Sequence, residues 1–69
     1  MSFEELWKQV KGFPEAAMQF IPNALNDETK KKLESYSSEE IASIINNAVE
    51  EINRGSIETV DSLVRKKLV

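Results

Sequence analysis

The feature that most constrains the fold is the three- and four-residue spacing of aliphatic side chains between residues 38 and 54. On a helix of 3.6 residues per turn these side chains fall within an arc of about 140°, whereas a strand requires strict alternation. They are Ile41, Ile44, Ile45, Ala48, Val49 and Ile52. The spacing therefore predicts an amphipathic helix over residues 38–54, although most of these residues are β-branched.

The same stretch carries markers for both ends of that helix and for a second helix after it. Ser37 or Ser38 can cap the first amides, and Glu40 completes a capping-box pattern with Ser37. Gly55 can take the left-handed conformation that ends a helix, and Ser56 is predicted to cap the next one directly. The apolar face of that next helix is predicted to contain Ile57, Val60, Leu63, Val64 and Leu68. The C-terminal part is therefore predicted to form a helix–glycine–helix hairpin, which resembles corners found in many helical repeats and indicates no particular family.

A first helix is predicted near the N-terminus, where Ser2 and Glu5 form a second capping-box pattern. Its apolar side chains share one face: Phe3, Leu6, Trp7 and Val10, joined by Phe13 if the helix extends that far. Gly12 and Pro14 are predicted to end this helix, because the residue before a proline is disfavoured in the α region.

Residues 12–25 allow two interpretations. Pro14 suits the first turn of a short second helix, and Pro22 is predicted to end that helix, with residues 22–25 as a candidate for one more turn. The alternative is a kinked continuation of the first helix.

A further helix is predicted through residues 28–36, capped by Asn26 or Asp27. Its few apolar side chains are Leu25, Leu33 and Tyr36. This helix is therefore predicted to lie on the outside of the core. The whole chain, residues 1–69, is predicted to be one all-α domain: a small bundle of four or five helices around a single-layer core.

The composition restricts the functional classes. The chain contains no cysteine and no histidine, so it lacks the usual nucleophile and base partners and the thiolate or imidazole ligands of metal sites. The adjacent carboxylates Glu39–Glu40 and Glu50–Glu51 cannot share a helix face, and the two glycines are isolated, so no phosphate-binding loop is present. A chain of 69 residues also has little material for enclosing a pocket. We therefore expect no catalysis, no cofactor, no metal ion and no small-molecule substrate.

The net charge of −3 and the pI near 4.9 argue against general affinity for nucleic acid or anionic membranes. No apolar run is long enough to span a bilayer, and the acidic N-terminal residues differ from the basic start of a secretory signal. We therefore expect a cytoplasmic protein. Two basic clusters nevertheless support an alternative function as a nucleic-acid-binding regulator. They consist of Lys30, Lys31 and Lys32, and of Arg65, Lys66 and Lys67.

The leading hypothesis is a small acidic protein–protein interaction module, an adaptor or regulator, that docks an apolar helix face on a protein partner or on a second copy of itself. A bundle this small cannot cover every apolar stripe, and aromatic residues and methionine are favoured in protein contacts. The residues expected at the contact surface are Phe3, Trp7, Met18 and Phe20. Asn46 and Asn47, adjacent in the middle of a helix, are a candidate polar contact strip.

Overall fold

The computed structural model describes residues 2–68, which form five α-helices and no strand. The helices are α1 (Phe3–Lys8), α2 (Glu15–Ala24), α3 (Asp27–Leu33), α4 (Ser38–Asn53) and α5 (Val60–Lys67). The predicted all-α class and small helical bundle are therefore confirmed, with five helices. Within this described range, no helix combines the length and the apolar character needed to cross a bilayer.

The longest helix, α4, has 16 residues and extends about 24 Å. It begins with the predicted capping box: the Glu40 amide donates to Ser37 Oγ at 3.2 Å, and the Ser37 amide donates to the Glu40 carboxylate at 3.1 Å. The side chains of Ile41, Ile45 and Ala48 are fully buried. The aliphatic spacing therefore predicted both the helix and its buried face.

The end of α4 is a complete Schellman motif. Gly55 has φ of +102°. Its amide donates to the Ile52 carbonyl, and the Ser56 amide donates to the Glu51 carbonyl, both at 3.0 Å. These bonds fill carbonyl groups that the last turn of a helix leaves without partners.

The helix that follows begins later than predicted. Thr59 is its N-cap and accepts a hydrogen bond from the Ser62 amide at 3.1 Å, whereas Ser56 accepts one from the Glu58 amide inside the connection. The prediction that Ser56 caps α5 and that Ile57 belongs to the core is therefore wrong, since Ile57 is 100% exposed. A start at Thr59 still turns three aliphatic side chains to the core, Val60, Leu63 and Val64, and α5 packs most extensively on α4.

The N-terminal helix is shorter than predicted. Ser2 Oγ accepts the Glu5 amide at 3.3 Å and starts α1, but the helix ends at Lys8, before Gly12 is reached. Val10 remains buried, because its amide continues the turn by donating to the Trp7 carbonyl at 3.0 Å.

The second helix, α2, is separate from α1, and the prediction that Pro22 ends it is wrong. Proline has no amide hydrogen, so Pro22 leaves the Met18 carbonyl without its helical donor. The indole N–H of Trp7 donates to that carbonyl at 2.8 Å. This bond replaces the missing one, and α2 continues to Ala24.

The third helix is capped by Asn26, whose Oδ1 accepts the Thr29 amide at 2.9 Å. Although α3 is short, Thr29 and Leu33 are fully buried. The helix packs against α1 and α5 and covers one side of the core, as predicted for an outer helix.

Thirteen buried apolar side chains form one core cluster. They are Phe3, Leu6, Trp7, Val10, Ile21, Leu25, Leu33, Ile41, Ile45, Ala48, Val60, Leu63 and Val64. The described residues measure 33 × 26 × 18 Å, and the shortest dimension leaves room for about two layers of helices at 8–10 Å spacing. Every helix therefore has a face that its own chain does not cover.

Candidate docking groove

The side chain of Phe20 points away from the core because its neighbour Ile21 points into it. Consecutive helical residues are separated by about 100°, so the two side chains cannot share a face. Ile21 is 1% exposed and Phe20 is 61% exposed. The Trp7–Met18 hydrogen bond joins α1 to the middle of α2 and helps to fix this orientation.

Phe20 forms one wall of a groove of about 420 Å³ between α2, the last turn of α4 and the start of α5. The lining residues are Phe20, Asn23, Ala24, Ile52, Thr59 and Val60. None of them carries a charge, although 30% of the residues in the chain are charged. The depletion of charge at an exposed aromatic side chain is typical of the centre of a protein–protein contact.

A second exposed aliphatic side chain lies next to this groove. Ile57 belongs to the connection between α4 and α5, two residues before Thr59 in the groove wall. Two steps of 3.8 Å place its Cα within about 7.6 Å of the Thr59 Cα. In the described part of the chain, Phe20 and Ile57 are the large apolar side chains that remain exposed, so both lie at or beside one groove.

Three ion pairs join the basic last turn of α5 to acids on α4, in the connection before α5 and in the first turn of α5. Arg65 pairs with Asp61 at 3.0 Å, Lys67 pairs with Glu51 at 3.5 Å, and Lys66 pairs with Glu58. Three acids near the groove, Glu51, Glu58 and Asp61, are thus paired within the chain.

The Asp61 carboxylate also joins the start of α5 to the start of α3. It accepts the Asn26 backbone amide at 3.0 Å and the Asn26 side-chain amide at 3.2 Å. Partial burial opposes ionisation of this carboxyl. The Asn26 amide and the Arg65 guanidinium outweigh that effect and hold the pKa of Asp61 below its usual range. The bonds keep α5 in place beside α3, and with it the Val60 wall of the groove.

The structure separates the four predicted contact residues. Phe3 and Trp7 are buried, with their rings stacked at a centroid distance of 6.0 Å, so their assignment as surface contacts is wrong. The cause is that α3 and the 9–14 segment cover α1: Lys30 lies over the Phe3 ring and Phe13 packs against Trp7. Met18 is partly buried against the core, which leaves Phe20 as the exposed member of the set.

The two basic clusters differ in their surroundings. In the first, Lys30 lies 6.0 Å from the Phe3 ring centroid, while Lys31 and Lys32 are exposed. Arg65, Lys66 and Lys67 of the second cluster each contact a carboxylate, as described above. The second cluster therefore presents little net positive charge.

The predicted asparagine strip lies on the outer face of α4. Asn46 and Asn47 are exposed, and the Asn46 amide donates to the Glu50 carboxylate at 3.3 Å. Asn46 also lines a shallow polar groove of about 330 Å³ together with Lys11. Nothing in this groove is an unpartnered buried polar group.

Ile57 and the groove walls at Ala24, Ile52 and Val60 were not predicted as site residues. The groove forms where three helices meet, and no local pattern indicates that meeting point. Thr59 followed by Asp61 was a usable signal, since a threonine cap with an acid in the first turn marks a helix start and would have placed Ile57 in a loop.

Within residues 2–68, no three acidic, cysteine or histidine side chains are grouped as metal ligands. No family model, curated protein or solved structure matches the chain.

Proposed function

We propose that this protein is a non-catalytic docking module of the cytoplasm, an adaptor or regulator, whose groove between α2, α4 and α5 receives apolar side chains of another polypeptide. The observation that carries the proposal is that Phe20, which is 61% exposed, borders a groove whose lining residues are all uncharged. A partly exposed aromatic residue at the centre of a contact commonly contributes most of its binding energy.

The size and lining of the groove are suited to a polypeptide ligand. Its volume of about 420 Å³ can accept a small number of apolar side chains. Each such side chain contributes about 1.5–3 kcal/mol when it is fully buried. Asn23 and Thr59 add neutral polar groups to the wall, which suits the mixed apolar and polar character of protein contacts.

A photo-crosslinking amino acid placed at Phe20 tests this function in the native host cell. The same probe at Asn47, an exposed position on the outer face of α4, is the matched control. We expect a discrete crosslinked polypeptide at position 20 that is missing at position 47. The captured polypeptide is then identified, purified and titrated against the wild-type chain and against Phe20→Gln. At least tenfold weaker binding to the variant supports the function. Equal labelling at both positions, or equal affinity for both chains, overturns it.

A nucleic-acid-binding function through the two basic clusters stays a prediction. The ion pairs of Arg65, Lys66 and Lys67 reduce the charge that this cluster offers to phosphate groups.

A further inference from the structure

The extensive contacts between helices close into a ring that leaves α2 outside. Within residues 2–68, α1 packs on α3, α3 packs on α5, α5 packs on α4, and α4 packs on α1. The helix α2 makes its extensive contact with α5 alone. Moving α2 away would therefore leave each of the other four helices with two packing neighbours. We call α1, α3, α4 and α5, with the connection between α4 and α5, the four-helix base.

The polar links between elements follow the same division. The Asp61 carboxylate joins α5 to the Asn26 amide at the start of α3, at 3.0 Å, and the three ion pairs described above also lie within the base. In the described part of the chain, one side-chain hydrogen bond joins α2 to the base, from the Trp7 indole to the Met18 carbonyl at 2.8 Å. The attachment of α2 thus depends on a single polar contact and on its packing against α5.

The helix α2 also has few stabilising features of its own. Each of the other four helices begins with a side chain that accepts a backbone amide, whereas the N-cap of α2, Pro14, supplies no such bond. Pro22 removes one backbone hydrogen bond from its interior. Of its ten residues only Ile21 is buried, followed by buried Leu25 directly after the helix. On the other side, Gly12 has φ of +96° and open space around it, so the connection to α1 can turn there.

We propose that α2 is a lid that opens as one unit from an intact four-helix base, with the Trp7–Met18 hydrogen bond as its latch. The moving segment runs from Gly12 to Leu25, because the next residue, Asn26, is bonded to α5 of the base. Elements with few buried contacts open locally at a lower free energy than the whole domain, and α2 is such an element.

The opening changes the width of the groove between α2, α4 and α5. Half of the lining residues move with the lid, and the other half stay with the base. The first half is Phe20, Asn23 and Ala24, and the second is Ile52, Thr59 and Val60. The chain can therefore separate the two walls of the groove while its base stays folded. The lid is a property of the free chain and does not rest on the proposed docking function.

Hydrogen exchange followed by NMR, under conditions in which the opening equilibrium sets the rate, tests the lid. We expect the Phe20 and Ile21 amides to share one opening constant, at least tenfold larger than that of the Ile45 amide in α4, which exchanges by global unfolding. Up to about 1 M urea should accelerate exchange of Ile45 and leave the α2 amides nearly unchanged, because opening α2 exposes less surface than unfolding the chain. The indole proton of Trp7, the one tryptophan, should share the opening constant of α2.

Two variants separate the lid from the base. Ser37→Ala removes the cap of α4 and should accelerate exchange of the Ile45 amide about fivefold, while the α2 amides and the Trp7 indole proton stay within about twofold of wild type. Trp7→Phe removes the latch, which both local opening and global unfolding break. It should therefore accelerate exchange in α2 and in α4 by at least about fivefold.

Equal acceleration of the α2 and α4 amides by Ser37→Ala overturns the lid, because α2 then opens only when the base unfolds. An indole proton that exchanges with the opening constant of α4 overturns the latch. The experiment contains no partner, so either result leaves the docking function to be decided by the crosslinking experiment at Phe20.

Discussion

The indole N–H of Trp7 donates to the Met18 carbonyl at 2.8 Å, and Met18 is the residue whose helical donor is missing because Pro22 stands four positions later. One hydrogen bond thus satisfies both a largely buried indole and an orphaned helix carbonyl. It explains how a proline lies inside α2, and it ties α2 to α1 at the point from which Phe20 projects.

This relationship predicts that the loss of stability on removing the Trp7 indole depends on whether proline is present at position 22. Trp7→Phe leaves the Met18 carbonyl without a donor and should lower the free energy of unfolding by about 1–2 kcal/mol. In a Pro22→Ala background, the new backbone amide at position 22 can donate to the Met18 carbonyl, so the same substitution should cost less by about 1 kcal/mol. Urea unfolding of the four chains of this double-mutant cycle gives the coupling energy. Equal costs in both backgrounds contradict the interpretation.

The Asp61 carboxylate should make stability depend on pH. The pKa of Asp61 is lower in the folded chain than in the unfolded chain. Its contribution to the free energy of unfolding is therefore fully present above the usual aspartate pKa of about 3.9, and it is lost as the pH falls through the lower pKa of the folded chain. Its side chain is 13% exposed, and Asp61→Asn should cost about 1–3 kcal/mol at pH 7.

The difference between wild type and Asp61→Asn should therefore shrink as the pH falls from about 5 to 2, as measured by chemical denaturation at each pH. Glu28→Gln, at an exposed position of α3, is the charge-matched control and should show a much smaller difference. If the difference in free energy of unfolding between wild type and Asp61→Asn stays constant down to pH 2, the ionised Asp61 carboxylate does not stabilise the fold.

Sequence patterns predicted the helices wherever the decisive interactions are local. The spacing from Ile41 to Ile52, the Ser37 cap and the Gly55 stop all act within one or two turns, and all three are confirmed. Pro22 was misjudged because the donor that compensates for it, Trp7, belongs to another helix. The start of α5 was misplaced because Ser56 and Thr59 are both acceptable caps; in the structure Thr59 accepts the Ser62 amide, and Ser56 accepts the Glu58 amide inside the connection.

The candidate site was predicted less completely than the fold. Phe20 was among the expected contact residues, but Phe3 and Trp7 have similar local patterns and are buried. Which aromatic side chains become covered depends on where α3 and the segment containing Phe13 pack, and hydrophobic periodicity does not contain that information. Ile57 shows the same limit, because its apolar character indicated a core position that the chain path does not allow.

The turn after α4 requires a positive φ at Gly55. Its φ is +102°, and a Cβ at this position would meet no atom within 4 Å. Gly55→Ala should therefore cost about 1–2 kcal/mol through backbone strain alone. Chemical synthesis with D-alanine at position 55 is the matched control, since the D-residue favours positive φ and should at least retain wild-type stability in thermal unfolding. A D-alanine chain as unstable as the L-alanine chain contradicts this account.

Two adjacent residues of α2 should differ sharply in their effects on stability. Ile21→Ala removes a fully buried side chain and should cost about 2–5 kcal/mol. Phe20→Ala removes a mostly exposed one and should change the stability of the monomer by no more than about 0.5 kcal/mol. Urea denaturation of wild type and both variants at 5 µM gives the two changes in the free energy of unfolding. A large loss from Phe20→Ala would mean that the ring supports the fold, and the docking proposal would then lose its main observation.

The nucleic-acid alternative predicts a different result from the docking function, and fluorescence anisotropy with mixed-sequence DNA and RNA in 50 mM salt decides between them. Contacts with phosphate groups dominate such affinities and are strongest at low salt. Because the net charge is −3 and the second basic cluster is paired with carboxylates, we expect no saturable binding up to about 100 µM protein. Lys31→Glu and Lys32→Glu are the informative variants, since both side chains are exposed, whereas Lys30 lies over the Phe3 ring. Tight binding that these reversals abolish would favour the nucleic-acid function over docking.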